Sequence, residues 1–173
     1  AMQTERVITV NRVLTPLGAL LAGESEGQLC LLEFADRKML ATQLRDLQGR
    51  LAAHYVPGDT PLLRETQAQL EAYFGGRLRD FQLPLSLPGT DFQVAAWRSL
   101  MTIPYGTTRS YAEQARRCDR PNAVRAIGTA NGRNRVAIVV PCHRVVGADG
   151  SLCGYGGELW RKQALLDLER KHA

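Results

Sequence analysis

A chain of 173 residues with 45% hydrophobic composition can bury one core or two small ones. Its four cysteines, Cys30, Cys118, Cys142 and Cys153, show neither Cys-x-x-Cys spacing nor a histidine cluster, which argues against a zinc site and against a secreted disulfide framework. The net charge of +5 is unevenly spread: residues 1–89 carry 9 basic and 10 acidic side chains and residues 90–173 carry 13 and 7, so any affinity for a polyanion is C-terminal.

In chain order, strand-like segments are expected at residues 6–13, 20–22 and 29–34, separated by turns at 15–18 and 26–27 and forming antiparallel hairpins. A helix is expected from Asp36 to about Ala53, with Leu40, Leu44, Leu47 and Leu51 on one stripe, and a second from Thr60-Pro61 to Gly75-Gly76. Each helix has one apolar face, which implies packing on the sheet. The stretch 83–89 (Leu-Pro-Leu-Ser-Leu-Pro-Gly) is rich in helix breakers and coincides with the change in charge. It divides the chain into a support domain over residues 1–85 and a second domain over 90–173.

The second domain opens with two capping-box sequences, Thr90-x-x-Gln93 and Ser110-x-x-Glu113, each marking a helix start. The first helix is expected to end near Met101, the second to run from Tyr111 to about Cys118, and a third to begin near Pro121-Asn122 and stop at Asn131-Gly132. Two short helices joined by a turn in the most basic part of the chain suggest a helix-turn-helix. Arg109, Arg116, Arg117, Arg120, Arg125, Arg133, Arg135 and Arg144 would form either a nucleic-acid face or a merely solvated one. Beyond lie a turn at 147–150, a glycine-rich loop at 154–157 and a closing helix from Trp160 to Lys171. No apolar stretch approaches membrane-spanning length and no charged-then-apolar leader is visible, so a soluble, cytoplasmic protein without membrane contact is expected.

The apolar run 136–140 (Val-Ala-Ile-Val-Val) is read as a buried strand that Pro141 terminates, delivering the Cys142 thiol and the neighbouring His143 at its end. A buried cysteine packed as a small hydrophobe accounts for the same residues. The two readings separate only with further residues.

Those residues are Tyr105-Gly106-x-x-x-Ser110-Tyr111, Ala123-Val124-Arg125-Ala126-Ile127-Gly128, Pro141-Cys142-His143-Arg144-Val145 and Gly154-Tyr155-Gly156-Gly157. In this order they resemble the O6-alkylguanine-DNA alkyltransferase family over residues 90–170, with a match to the N-terminal half in general layout only. The resemblance implies an α/β (α+β) fold: a small antiparallel sheet with helices, then a helical, winged-helix-like domain with a helix-turn-helix. It implies that Cys142 accepts an alkyl group from O6-alkylguanine in double-stranded DNA, with O4-alkylthymine a further candidate, and that the thioether is final, so each protein acts once. His143 would assist as a base through a water, with Glu169 orienting it and Tyr111 donating to the departing guanine.

The resemblance also implies that Arg125 fills the gap left by a flipped nucleotide, with the helix in the minor groove. Ala123, Gly128, Arg133 and Asn134 are implied as further DNA-side residues, Asn134 tying the recognition helix to the active-site loop. Tyr155 and Gly156 would wall the alkyl pocket and Val145 would offer a backbone acceptor. No metal and no cofactor are implied, and a monomer is expected. The chain departs from the family pattern at Arg135 (usually proline), at Cys118-Asp119 (usually Leu or Ile, then Gly), at Cys153 (a small hydroxyl or Asn) and at Glu158 (often Gly). Three alternatives compete. A non-enzymatic lesion sensor would lack the acceptor thiol. A helix-turn-helix DNA-binding regulator would leave the thiol idle, and a Cys-His hydrolase would leave the basic surface unexplained.

Overall fold

The computed structural model describes residues 6–173 and divides the chain into two compact units, Ala1–Pro88 and Gly89–Ala173. In the first, strands β1 (Arg6–Thr15), β2 (Gly18–Ser25) and β3 (Gln28–Phe34) form an antiparallel meander. The β2–β3 turn holds Glu26 and Gly27 both at positive φ (52° and 79°), the twist that closes a two-residue hairpin without splaying its strands. A bulge at Gly23/Glu24 lets Gly23 lie against Ile8 and Leu31, where an added Cβ would sit 3.1 Å from each.

Helix α1 spans Leu40–Leu51 rather than starting at Asp36. Residues 36–39 are held in a turn as the Arg37 guanidinium reaches back 2.7 Å to the buried Glu33 carboxylate. The helix ends at Ala52, in the left-handed region (φ 47°), and the chain then adds a strand absent from the sequence reading, β4 (Ala53–Pro57), parallel to β1. The sheet order is thus β3-β2-β1-β4, antiparallel with one parallel edge. Helix α2 (Pro61–Phe74) starts where expected: Thr60 Oγ1 accepts from Leu63 N–H and Pro61 takes the first turn. Ile8, Cys30, Leu31, Leu47 and Ala53 pack as one cluster. The proline-rich 83–89 stretch docks on β3 through Leu29 N–H to Pro84 O (2.8 Å) and Ser86 N–H to Leu29 O (3.0 Å), blunting that edge.

In the second unit, α3 (Asp91–Leu100) carries a complete capping box between Thr90 and Gln93. At α4 (Tyr111–Arg117) only half the expected box forms: Ser110 Oγ accepts from Glu113 N–H, while the Glu113 carboxylate pairs with Arg116 and Arg117. Helix α5 (Val124–Gly132) completes the helix-turn-helix. The turn between them passes through Asp119 at φ 57°, which explains why glycine suits that position.

The angle between α4 and α5 is fixed by a reciprocal amide pair, Gln114 Nε2 to Asn131 Oδ1 (2.9 Å) and Asn131 Nδ2 to Gln114 Oε1 (2.7 Å), both side chains buried. Trp97, fully buried, ties α3 to α5 by donating to Ala130 O at 2.8 Å. Ala96, Ala115, Ile127 and Ala130 fill the space between the three helices. Two short parallel strands, β5 (Arg109–Ser110) and β6 (Val145–Val146), and helix α6 (Leu159–His172) complete the unit.

The expected strand at 136–140 does not form. These residues are buried, yet the chain coils: Val139 N–H bonds Ala137 O (2.8 Å) around Ile138 at φ 71°, and Cys142 N–H bonds Val140 O (2.9 Å) around Pro141 at φ −84°, ψ 66°. These are two γ-turns, the first of the rarer, strained form for a β-branched residue. Asn134 replaces the missing ladder. Its amide donates to Val140 O (2.8 Å) and Val136 O (3.4 Å) and its oxygen accepts from Val136 N–H (3.0 Å).

Candidate active site

The γ-turn at Pro141 feeds a single 3-10 turn, Cys142–Arg144, which splits three consecutive side chains between two environments. Cys142 is half-buried on the wall of a cleft of about 380 Å³, while His143 and Arg144 turn inward and are buried. None of the four cysteines is in a disulfide, and no His, Cys, Asp or Glu group among the described residues is arranged to hold a metal.

Beneath the thiol, His143 Nε2 lies 2.7 Å from Glu169 Oε2, and Arg144 donates Nε to Glu169 Oε1 (2.8 Å) and Nη2 to Glu169 Oε2 (3.1 Å), with Nη1 to Ile103 O (2.7 Å). Burial alone would raise the Glu169 carboxyl, but the bonds and charges of His143 and Arg144 outweigh it and hold the group below the usual carboxylate range. Burial keeps His143 below its ordinary value, against the opposing pull of Glu169. An ionised Glu169 makes Nε2 the protonated imidazole nitrogen, leaving Nδ1 as a lone pair, buried and without a hydrogen-bond partner among the described residues. The Asn134 amide donates to Cys142 Sγ at 3.4 Å, so the same residue that shapes the turn also contacts the thiol.

The cleft is lined on the opposite side by Tyr111, Arg125, Gly128, Cys153, Tyr155 and Gly156, among others. The Tyr111 hydroxyl donates to Cys153 O at 2.7 Å, and burial followed by the Cys153 and Cys142 sulfurs raises its pKa, so the phenol stays protonated. Gly128 leaves α5 close to the Tyr111 ring, 3.8 Å from where its Cβ would stand. Arg125 is exposed on α5 and belongs both to this cleft and to a shallower groove of about 590 Å³ bounded by Phe92, Asn122, Ala123 and Ala126. Ala123 caps α5 at its start and exposed Arg133 closes it, so α5 forms the ridge between groove and cleft.

Four sequence expectations change on this geometry. Arg135 and Arg144, counted in the basic face, are 4% and 6% exposed: Arg144 neutralises Glu169, and Arg135 folds its guanidinium over the Trp97 ring at 5.6 Å. The outward basic residues of that stretch are instead Arg116, Arg117, Arg120, Arg125 and Arg133. Asn134, grouped with the DNA-binding residues, is only 2% exposed, while its bonds to Val136 and Val140 make the expected tie between the end of α5 and the loop that carries Cys142. Val145, expected to offer a backbone acceptor to the pocket, is fully buried, pairs with Arg109 in the β5–β6 ladder and does not line the cleft.

Sequence reasoning missed Lys162, a completely buried lysine on α6 whose Nζ donates to Cys153 O (3.1 Å) and Gly154 O (3.2 Å). A signal existed: Lys162, Leu165, Leu166 and Glu169 share one helical stripe, all buried, so two charges occupy positions that packing alone would give to apolar residues.

Residues 91–171 match the family model described as 6-O-methylguanine DNA methyltransferase, DNA binding domain, and residues 13–87 match its ribonuclease-like domain. A methylated-DNA--protein-cysteine methyltransferase of Mycolicibacterium paratuberculosis is 50% identical over 149 residues, covering 83% of this chain and 88% of the relative. One of Methanosarcina barkeri is 42% identical over 162 residues, covering 91% and 94%. The crystal structure of Mycobacterium tuberculosis O6-methylguanine methyltransferase superposes with a TM-score of 0.81 at 42% identity, covering 96% of this chain and 94% of the other. The structure of the Mycobacterium tuberculosis protein in complex with DNA gives 0.80 at 41% over the same shares.

Proposed function

The chain belongs to the 6-O-methylguanine DNA methyltransferase family, and on that premise we propose that it repairs alkylated DNA by moving the alkyl group of O6-alkylguanine irreversibly onto Cys142. The observation that carries the reading is the cleft itself. A half-buried thiol faces an opening of about 380 Å³ whose other wall includes the exposed Arg125 of the recognition helix, so the site that accepts a base and the helix that meets DNA share a side chain.

A guanine O6 inside a stacked duplex cannot reach such a thiol, and extruding the nucleotide costs roughly a few kcal/mol. Arg125 is placed to occupy the vacated position, since its planar guanidinium can stack or hydrogen-bond where the base had been. A helix that inserts one arginine from the minor-groove side needs no base-sequence readout, which suits a search for lesions.

His143 Nδ1 removes the proton of Cys142 through a bridging water, and the resulting imidazolium is stabilised by Glu169. The thiolate attacks the alkyl carbon in line as the carbon–O6 bond breaks. The electron pair moves onto the purine, and protonation there gives guanine. Tyr111, held protonated, turns its hydroxyl from Cys153 O to the departing base. The thioether formed has no leaving group for hydrolysis, so one protein repairs one lesion. No step calls for a metal or cofactor.

The protein therefore works where DNA and reduced thiols coexist, in the cytoplasm. No helix among the described residues is long and apolar enough to cross a membrane. Intact-mass spectrometry after incubation with a duplex holding one O6-methylguanine tests the reading. One added methyl group that maps to Cys142 is expected, at no more than one per protein. Multiple turnovers by substoichiometric protein, or a lesion bound without any mass change, would reject it.

A further inference from the structure

The arginines that face outward from the helix-turn-helix fall into two sets. Arg125 and Arg133 flank α5, beside the cleft and the groove. Arg116, Arg117 and Arg120 stand on the last turn of α4 and in the turn that follows, and they line neither depression. Between residues 109 and 125 five arginines meet only two carboxylates, Glu113 and Asp119, so this surface keeps a net positive charge.

Glu113 decides how the second set is presented. Its Oε2 accepts from Arg116 Nε (3.0 Å) and Nη2, and its Oε1 accepts from Arg117 Nε (3.1 Å). The two guanidinium groups hold the carboxyl below the usual carboxylate range, so it stays ionised. A guanidinium has five N–H donors, so each arginine is fixed on one side and still offers donors to the solvent. Arg120 lies past the end of α4, is exposed, and has no side-chain hydrogen bond or ion pair among the described residues. The α4 dipole favours basic residues in its own last turn, but the effect fades beyond it and does not account for Arg120. Half-buried Arg109 adds to the crowding of cations: burial and then the neighbouring Arg117 lower its pKa.

The backbone holds this set firmly against α5. Arg120 N–H bonds Ala115 O (2.9 Å), Ala123 N–H bonds Arg120 O (2.9 Å), and the buried Gln114–Asn131 amide pair fixes the angle between the helices.

We propose that Arg116, Arg117 and Arg120 form a second phosphate-binding surface, which grips the backbone of duplex DNA beside the segment that α5 enters and does so with or without a lesion. The proposal rests on α5 meeting DNA, and it extends the footprint of the protein from the flipped nucleotide to the flanking phosphates. Arginines whose forks are set in advance lose little freedom when they bind phosphate, and phosphate contacts carry no base sequence. The surface thus supplies lesion-independent affinity for the search along undamaged DNA.

The test measures binding to an unmodified duplex by fluorescence anisotropy between about 0.05 and about 0.3 M salt. Combining Arg116→Gln, Arg117→Gln and Arg120→Gln is expected to make the slope of log affinity against log salt shallower by about 2 to 3, and to weaken binding at least about tenfold near 0.1 M salt. The same three positions changed to lysine should keep most of the slope, because counterion release follows charge. A charge-matched triple in the first unit, Arg12→Gln with Arg45→Gln and Arg50→Gln, should leave the slope in place. An unmoved slope in the α4 triple, an equal loss in the first-unit triple, or a lysine triple as weak as the glutamine one overturns the proposal. So does tighter binding to an RNA duplex of the same sequence.

Should the glutamine triple not fold, Arg120→Gln alone removes a side chain with no partner to lose and is expected to lower the slope by about 1. An unchanged slope there would sink the idea. No alkyl transfer enters these readouts, so failure here and failure of Cys142 as acceptor are separate results.

Discussion

The Glu169 carboxylate accepts from His143 Nε2 at 2.7 Å while Arg144, the next residue in the chain, grips both of its oxygens. One acid on the last helix thereby fixes the imidazole tautomer and anchors the whole 3-10 turn that carries the thiol. Its partners are adjacent in sequence to Cys142, so the turn cannot rotate without breaking a buried ion pair.

Replacing that acid separates its two tasks. Glu169→Gln leaves Arg144 buried without an anion and is expected to destabilise the protein by about 3 kcal/mol. It also removes the acceptor that supports imidazolium, lowering the single-turnover transfer rate about a hundredfold. Urea denaturation and quench-flow on methylated duplex read the two effects. A variant with full rate would show that His143 needs no orienting acid.

Stability should also fall on mild acidification. His143 is held below its ordinary value by burial, so between its folded-state value and about 6.5 the unfolded chain binds a proton that the folded one does not. The corresponding stability is complete above about pH 6.5 and is lost as pH drops through the folded value. Glu169, also held low, keeps its ion pair with Arg144 through this range and gives way only in stronger acid. Urea midpoints at a series of pH values should decline below neutrality for the parent and decline less for His143→Gln. A flat parent curve would mean that the imidazole is charged in the fold.

Glu158 precedes α6 at φ 81°, ψ 146°, a region open in practice only to glycine. Glu158→Gly should therefore raise the unfolding free energy by about 1 kcal/mol, despite the greater freedom glycine adds to the unfolded chain. Its carboxylate contact with Trp160 Nε1 (3.1 Å) is exposed and weighs little against that relief. A lower thermal midpoint in the variant would contradict the account.

For Arg125→Ala, repair of duplex DNA should weaken by about tenfold, the weight of one charge-assisted contact. Reaction with free O6-benzylguanine, which needs no flipping, should change little. Equal losses on both substrates would place Arg125 in the chemistry rather than in the extrusion of the base.

Local chemistry made much of this protein readable from residue order alone. Thr60, Thr90 and Ser110 announce helix starts because a capping hydroxyl acts on donors only two or three residues away, and Pro-Cys-His-Arg marks the reactive turn. What the linear pattern could not supply were relationships between distant residues. The 136–140 run has the composition of a strand, yet Asn134 satisfies its backbone from the side and bends it into γ-turns, so burial there does not mean pairing. Strand β4 exists because β1 offers an edge, which periodicity within residues 53–57 does not reveal.

The same holds for charge. Sequence counts Arg135, Arg144 and Lys162 as basic, but only the folded chain assigns Arg144 to Glu169, Arg135 to the Trp97 ring and Lys162 to the walls of the cleft. The candidate nucleophile and the candidate recognition helix were named from residues close together in the chain. The direction each charge faces was settled by packing, because a long cationic side chain will turn inward wherever a buried carboxylate, ring or carbonyl compensates the loss of water.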